Sequence, residues 1–146
     1  MIQRPASWQT VKADFNMTFE LDRAIKVKLK RIQMLKDRAI QITGTTKGIR
    51  VSSSGNRSKT ESAVVQYSDM QKKVETEINA CIRQMEAVED IIRQVPDASL
   101  RALLECRYLC FMTWEQVAVT IGRGWRHTMR LHRKAIQAAV EAINRL

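Results

Sequence analysis

Tyr67, Val74, Cys81, Val88 and Val95 stand seven residues apart, and Met70 or Gln71, Ile78, Met85 and Ile92 fill the positions between them. An alternation of threes and fours keeps one stripe of side chains against a facing helix, as in a coiled coil. The repeat predicts a helix from about Glu61 to Val95. Its 29 residues from Tyr67 onward make a seam of roughly 43 Å at about 1.5 Å per residue. Pro96 ends it, because the ring clashes with the preceding turn. Upstream, Leu21, Ile25, Leu29, Ile32, Leu35, Ala39 and Ile42 also recur at steps of three and four, which predicts a first amphipathic helix from about Asn16 to Ile42. Residues 43–60, TGTTKGIRVSSSGNRSKT, are rich in Gly, Ser and Thr, so a flexible loop is expected there, with at most a short strand at Ile49–Val51. The simplest arrangement is an antiparallel hairpin. A seam shared between two chains, giving a homodimer, satisfies the same spacing, and the pattern does not choose.

Five Gly and two Pro in 146 residues are too few for the turns of an all-β protein, whereas a 45% apolar share supports a packed core. The expected class is all-α: a long, coiled-coil-like antiparallel helical hairpin over 1–95, followed by a compact helical domain over 96–146. No run approaches the roughly 18 apolar residues of a bilayer span, so no membrane partner is expected. The N-terminus lacks the apolar stretch of a secretory signal. Three Cys cannot close a disulfide framework, which fits a reducing intracellular setting.

A formal charge of +10 points to an anionic partner but identifies no activity. Its placement is more useful. Residues 1–60 hold thirteen cationic side chains and four carboxylates, residues 61–95 four and seven, and residues 96–146 eight and four. The basic first helix reads first as a solvated face, with phosphate contact by Lys26, Lys28, Lys30 and Arg31 as the functional alternative. In the last third, Arg123, Arg126, Arg130, Arg133 and Lys134 fall within twelve positions that contain no acid.

That cluster sits on a recognisable plan. Asp97 is placed to cap a helix marked by Leu100, Leu103, Leu104, Tyr108 and Phe111. Thr113-Trp114-Glu115-Gln116 matches a capping box. Trp114, Val117, Ala118 and Ile121 then form the inner face of a two-turn helix, and Gly122 stands where a left-handed C-cap is expected. A further helix runs from about Gly124 to the C-terminus. A short helix, a Gly-containing turn and a second helix make a helix-turn-helix, whose second helix enters the major groove of double-stranded DNA. Thr128 and Leu131 are the inward positions of that second helix, and Thr128 must satisfy its hydroxyl there. Trp125, Arg126, Met129, Arg130 and Arg133 then face outward. Arg126 and Arg130 are the expected base readers, since Arg pairs bidentately with guanine. Trp125 and Met129 are candidate contacts to a thymine methyl, although Trp125 packed on the preceding helix fits the pattern as well. Arg123, Arg133 and Lys134 are cast as phosphate contacts.

The run LLECRYLCFMTWEQVAVTIGRGWRHTMRLHRKAI resembles the C-terminal module of small phage transcriptional regulators of the ArpU/RinA late-gene type, which carry a sigma-factor region 4-like helix-turn-helix. The matching residues are Leu104, Arg107-Tyr108, Trp114-Glu115, Val117-Ala118, Ile121-Gly122, Arg126, Arg130-Leu131-His132 and Ala135. The likeness spans about Asp97 to Leu146 and is architectural only before that. It implies a phage or prophage regulator acting in the bacterial cytoplasm, with RNA polymerase as a further partner. Gly124 departs from the Ser N-cap usual in that family, and Thr128 from an aliphatic residue.

Other chemistry is not expected. Cys106 and Cys110 with His132 or His127 lack a fourth zinc ligand. The thiols read as buried small apolar groups, and His132 as a packed or helix-end histidine. No phosphate loop, nucleophile constellation or carboxylate pair stands out, so neither catalysis, metal nor cofactor is expected. Two other functions suit the same features: a small terminase subunit recognising packaging DNA, and a helical interaction protein that binds RNA polymerase or a host factor without touching DNA.

Overall fold

In a computed structural model, the structure describes residues 5–47 and 54–146, with side-chain placement for 5–41 and 59–146. The protein is all-α, with α1 at Trp8–Lys47, α2 at Ser54–Arg93, α3 at Ala98–Leu104, α4 at Trp114–Ile121 and α5 at Trp125–Arg145. The long pair α1 and α2 packs together as a hairpin within one chain. Both helices exceed their expected lengths. The α1 helix begins at Trp8 rather than near Asn16 because Ser7 and Thr10 close a reciprocal cap: the Ser7 amide donates to Thr10 Oγ1 at 3.0 Å, and the Thr10 amide to Ser7 Oγ at 3.2 Å. At the other end, 43–47 and 54–60 are helical rather than part of a loop. Weak local propensity is routinely overridden when each helix has a partner to lie against. The strand expected at Ile49–Val51 falls outside the described residues.

Two compact units divide the chain, and the division is not at Pro96. One unit is the described part of Arg23–Cys81, the arm. Its seam follows a strict heptad through Ile25, Lys28, Ile32, Leu35 and Ala39 on α1, and Tyr67, Gln71, Val74, Ile78 and Cys81 on α2, all at least half-buried. Leu29, expected in the seam, is 53% exposed. Lys28 replaces it because the repeat steps from Ile25 by three, not four. The Lys28 stem lies along the apolar stripe while Nζ reaches Glu77 at 3.2 Å.

The second unit joins the described residues up to Asp22 with Ile82–Leu146. Its core draws Val11 and Phe15 from α1, Val88 and Ile92 from the end of α2, Val95 from the turn after it, and Leu103, Tyr108, Val117, Ile136 and Ala139 from the C-terminal helices. The expected 96–146 domain is therefore too small: about fifty residues bury too little surface alone, and the long helices supply the missing apolar wall. Asn144 ties the two ends of this unit together, its Oδ1 accepting from the Ala6 amide at 2.9 Å and its Nδ2 donating to the Ala6 carbonyl at 3.2 Å.

Asp97 caps α3 as expected, accepting from the amides of Ser99 at 2.8 Å and Leu100 at 3.1 Å. The helix does not continue to Phe111, however. It stops at Leu104, passes into one π-helical turn over Glu105–Leu109, and ends where Phe111 adopts a left-handed φ of 57°. Such a backbone costs a non-glycine residue roughly 1 kcal/mol, and the Phe111 ring is held edge-on against Phe19 at 5.5 Å. The thiols also differ from expectation: Cys81 and Cys106 are half-buried and Cys110 is exposed. No described helix is long and apolar enough to cross a membrane.

Candidate nucleic-acid interface

The turn before α5 is built from the residues that local chemistry demands. Thr113 Oγ1 accepts from the Gln116 amide at 3.3 Å, and Gln116 Oε1 accepts from the Thr113 amide at 2.9 Å, completing the capping box. Gly122 then turns left-handed, at φ 69° and ψ 34°, and the Arg123 amide reaches the Ala118 carbonyl at 3.0 Å. A Cβ on Gly122 would meet no atom within 4 Å, so substitution there is penalised by conformation alone. Gly122→Ala is expected to lower stability by about 1–2 kcal/mol, read from the urea midpoint. A loss within error would show that the turn tolerates a right-handed alternative.

Gly124 precedes α5 in an extended conformation and offers no side-chain cap. Thr128 compensates from inside: its fully buried hydroxyl donates to the Gly124 carbonyl at 2.9 Å. A threonine in this seat thus anchors the first turn of the helix, a role no aliphatic residue can fill. Leu131 is half-buried as expected.

His132 is packed rather than free. Its Nε2 lies 2.7 Å from the Tyr108 hydroxyl, and its ring meets Trp114 edge-on at 4.6 Å. Burial, reinforced by the charges of Lys12, Arg107 and Arg133, pushes its pKa down to about 4. The imidazole is therefore neutral near pH 7, and its Nε2 shares a hydrogen bond with the Tyr108 hydroxyl. Burial likewise pushes the Tyr108 phenol up to about 12. His132 is not available to a metal shared with the two cysteines, and among the described residues no group of three His, Cys, Asp or Glu is arranged to hold one.

Opposite this buried stripe, α5 presents Arg126, Arg130, Arg133 and Lys134, all exposed, with Arg123 exposed at the turn before it. Steps of four, three and one place the four helical cations on one face about 12 Å long. None of the five pairs with a carboxylate among the described residues. Trp125 is 50% exposed at the first position of the helix, so it is not packed away on α4. Met129 is half-buried at the edge of the face rather than fully outward. The structure thus brings together Arg123, Trp125, Arg126, Arg130, Arg133 and Lys134 and leaves Met129 on the margin.

Two residues take places at this site that the sequence did not assign to them. His127 is exposed in the first turn of α5, among the cations. Arg107 lies between the rings of Phe19 and Trp114, 4.6 and 4.5 Å from their centroids, and donates through Nη1 to the Met112 carbonyl at 2.8 Å. It fixes the approach to α4, and nothing in the local sequence marks it, because Phe19 is contributed from 88 positions away. No family model matches the chain, and comparison with curated proteins and with solved structures finds no similar one.

Proposed function

We propose that the protein is a sequence-specific, double-stranded-DNA-binding transcriptional regulator without enzymatic activity, of the phage or prophage late-gene kind. The observation that carries this reading is the acid-free cationic face of α5, solvent-exposed and following a left-handed glycine turn. A helix of this width fits the major groove, roughly 12 Å across. Arg126 and Arg130, near its start, reach base edges. Arg123, Arg133 and Lys134 hold phosphates and set the register. Trp125 supplies an apolar contact beside them. RNA polymerase is the second partner in this reading, and bacterial cytoplasm the setting.

Selection of bound fragments from random duplexes tests it. Arg126→Ala and Arg130→Ala should each weaken the selected site about tenfold and relax preference at one or two base pairs. Arg133→Ala should weaken all duplexes alike and reduce the slope of log affinity against log salt by about 1. Retention of full sequence preference in both base-reading variants would sink the assignment. Failure to retard any duplex at about 50 mM salt, where phosphate contacts are strongest, would favour an interaction protein that does not touch DNA.

A further inference from the structure

We propose that Lys12, in the second turn of α1, holds a backbone phosphate of the same duplex that α5 enters, beside Arg133 on one wall of the groove while Lys134 faces the other. The inference rests on the DNA reading above. It adds to that interface a residue 121 positions before Arg133.

The basic residues of α5 fall into two rows. Arg126 and Arg133 are seven apart, as are His127 and Lys134. At 3.6 residues per turn the rows stand about 100° apart around the helix, with Arg130 between them. A helix seated in a groove turns one such row toward each strand. The Arg133 row is the one beside α1. Asn144 follows Arg133 by eleven residues, which is three turns to within about 20°, and Asn144 grips Ala6 through its two hydrogen bonds. Val140, on the same line of α5, is buried in the core that Val11 shares. The α1 helix then runs back along α5. Phe15 meets Tyr108 at 5.3 Å between ring centroids, and the Tyr108 hydroxyl lies 2.7 Å from His132, the residue before Arg133. Lys12 stands between these two anchors. Its charge and that of Arg133 both bear on the His132 imidazole, adding to burial in keeping it neutral.

Two cations brought to one place repel unless something answers them, and here no acid does. Neither Lys12 nor Arg133 pairs with a carboxylate among the described residues. Asp14, two residues after Lys12, stands about 160° away around α1. What meets Lys12 is a ring: its Nζ lies 4.9 Å from the centroid of Trp8. An aromatic face attracts an ammonium group but accepts few of its three N–H donors, so the others remain for a phosphate oxygen. The ring holds Lys12 in place beside Arg133, and the duplex supplies the missing negative charge.

Duplex binding by the full chain tests this. On a mixed-sequence duplex of about 25 base pairs at ~100 mM salt, Lys12→Met should raise the dissociation constant about five- to tenfold and lower the slope of log affinity against log salt by about 0.9. The methionine keeps an unbranched stem against Trp8. Base preference should be unchanged, unlike that of Arg126→Ala. Lys12→Arg, which keeps the charge, should stay within about twofold of wild type. Lys12→Met/Arg133→Ala should lower the slope by about 1.8, one phosphate for each cation. Lysine footprinting of the wild-type chain needs no variant and decides if Lys12→Met loses its helicity: bound duplex should slow acetylation of Lys12 at least ~5-fold. Equal binding by a folded Lys12→Met, or acetylation of Lys12 as fast with DNA as without, would overturn the proposal and leave the DNA reading standing. A wild-type chain that retards no duplex would overturn both.

Discussion

Phe15→Ala is expected to remove about 3–5 kcal/mol of stability and to abolish the cooperative unfolding of the helix-turn-helix, although Phe15 lies 110 residues before Trp125. The side chain is fully buried, with its ring centroid 5.3 Å from that of Tyr108. Truncation there leaves a cavity among Tyr108, Ile92 and the C-terminal helices, and the surrounding rings relax only in part. Urea denaturation followed by tryptophan emission reads the effect, because Trp114 and Trp125 belong to the same unit. For the same reason a fragment of residues 96–146 should show no sigmoidal transition. A loss below about 1 kcal/mol, or a folded fragment, would mean that the C-terminal helices form an independent core.

Acid should weaken the fold through His132. Its pKa is held at about 4 in the folded chain against about 6.5 when unfolded. Between those values the unfolded chain binds the extra proton, so stability rises with pH across the window and is lost as pH falls from 6.5 toward 4. Allowing for solvent screening, the loss should reach about 2 kcal/mol. Below pH 4 this contribution is flat. Carboxylates titrate in the same range, so the measurement is a difference: urea midpoints of wild type and His132→Gln at pH 7.5, 5.5 and 4. The variant should start less stable, having lost the Tyr108 contact, and fall less steeply. Parallel curves would mean that His132 protonates freely in the fold.

The parts of the fold written in short-range chemistry were legible in advance. The Thr113–Gln116 box, Gly122, Asp97 and the inward Thr128 each act within four residues, and the structure places all of them as their chemistry requires. The heptad of α2 was equally clear, because every seventh residue is apolar. Periodicity states which face is apolar but not which segment covers it. That is why the boundary appeared to fall at Pro96, while Val11, Phe15, Val88 and Ile92 in fact complete the C-terminal core. Leu29 misled for a related reason: it is more apolar than Lys28, yet one step out of phase. The π-helical turn at Glu105–Leu109 inserts a single residue into the helical ladder, and no residue type announces it. Gly and Ser in 43–47 and 54–60 argued for a loop, but neighbouring helix outweighed propensity. At the candidate interface the cations were visible as a cluster, whereas the clamp on Arg107 depends on Phe19 arriving from far along the chain.

The reciprocal hydrogen bonds between Ala6 and Asn144 set a timetable for synthesis. The two residues are 138 positions apart, and at about 5–20 residues per second the first waits roughly 7–28 s for the second to be made. During that interval Val11 and Phe15 are already on the nascent chain, while Ile136 and Ala139, which help to enclose the same core, do not yet exist. The unit therefore closes only after Ile136, Ala139 and Asn144 have been made. Early release of the chain leaves the greasy face of α1 exposed, a substrate for chaperones and proteases.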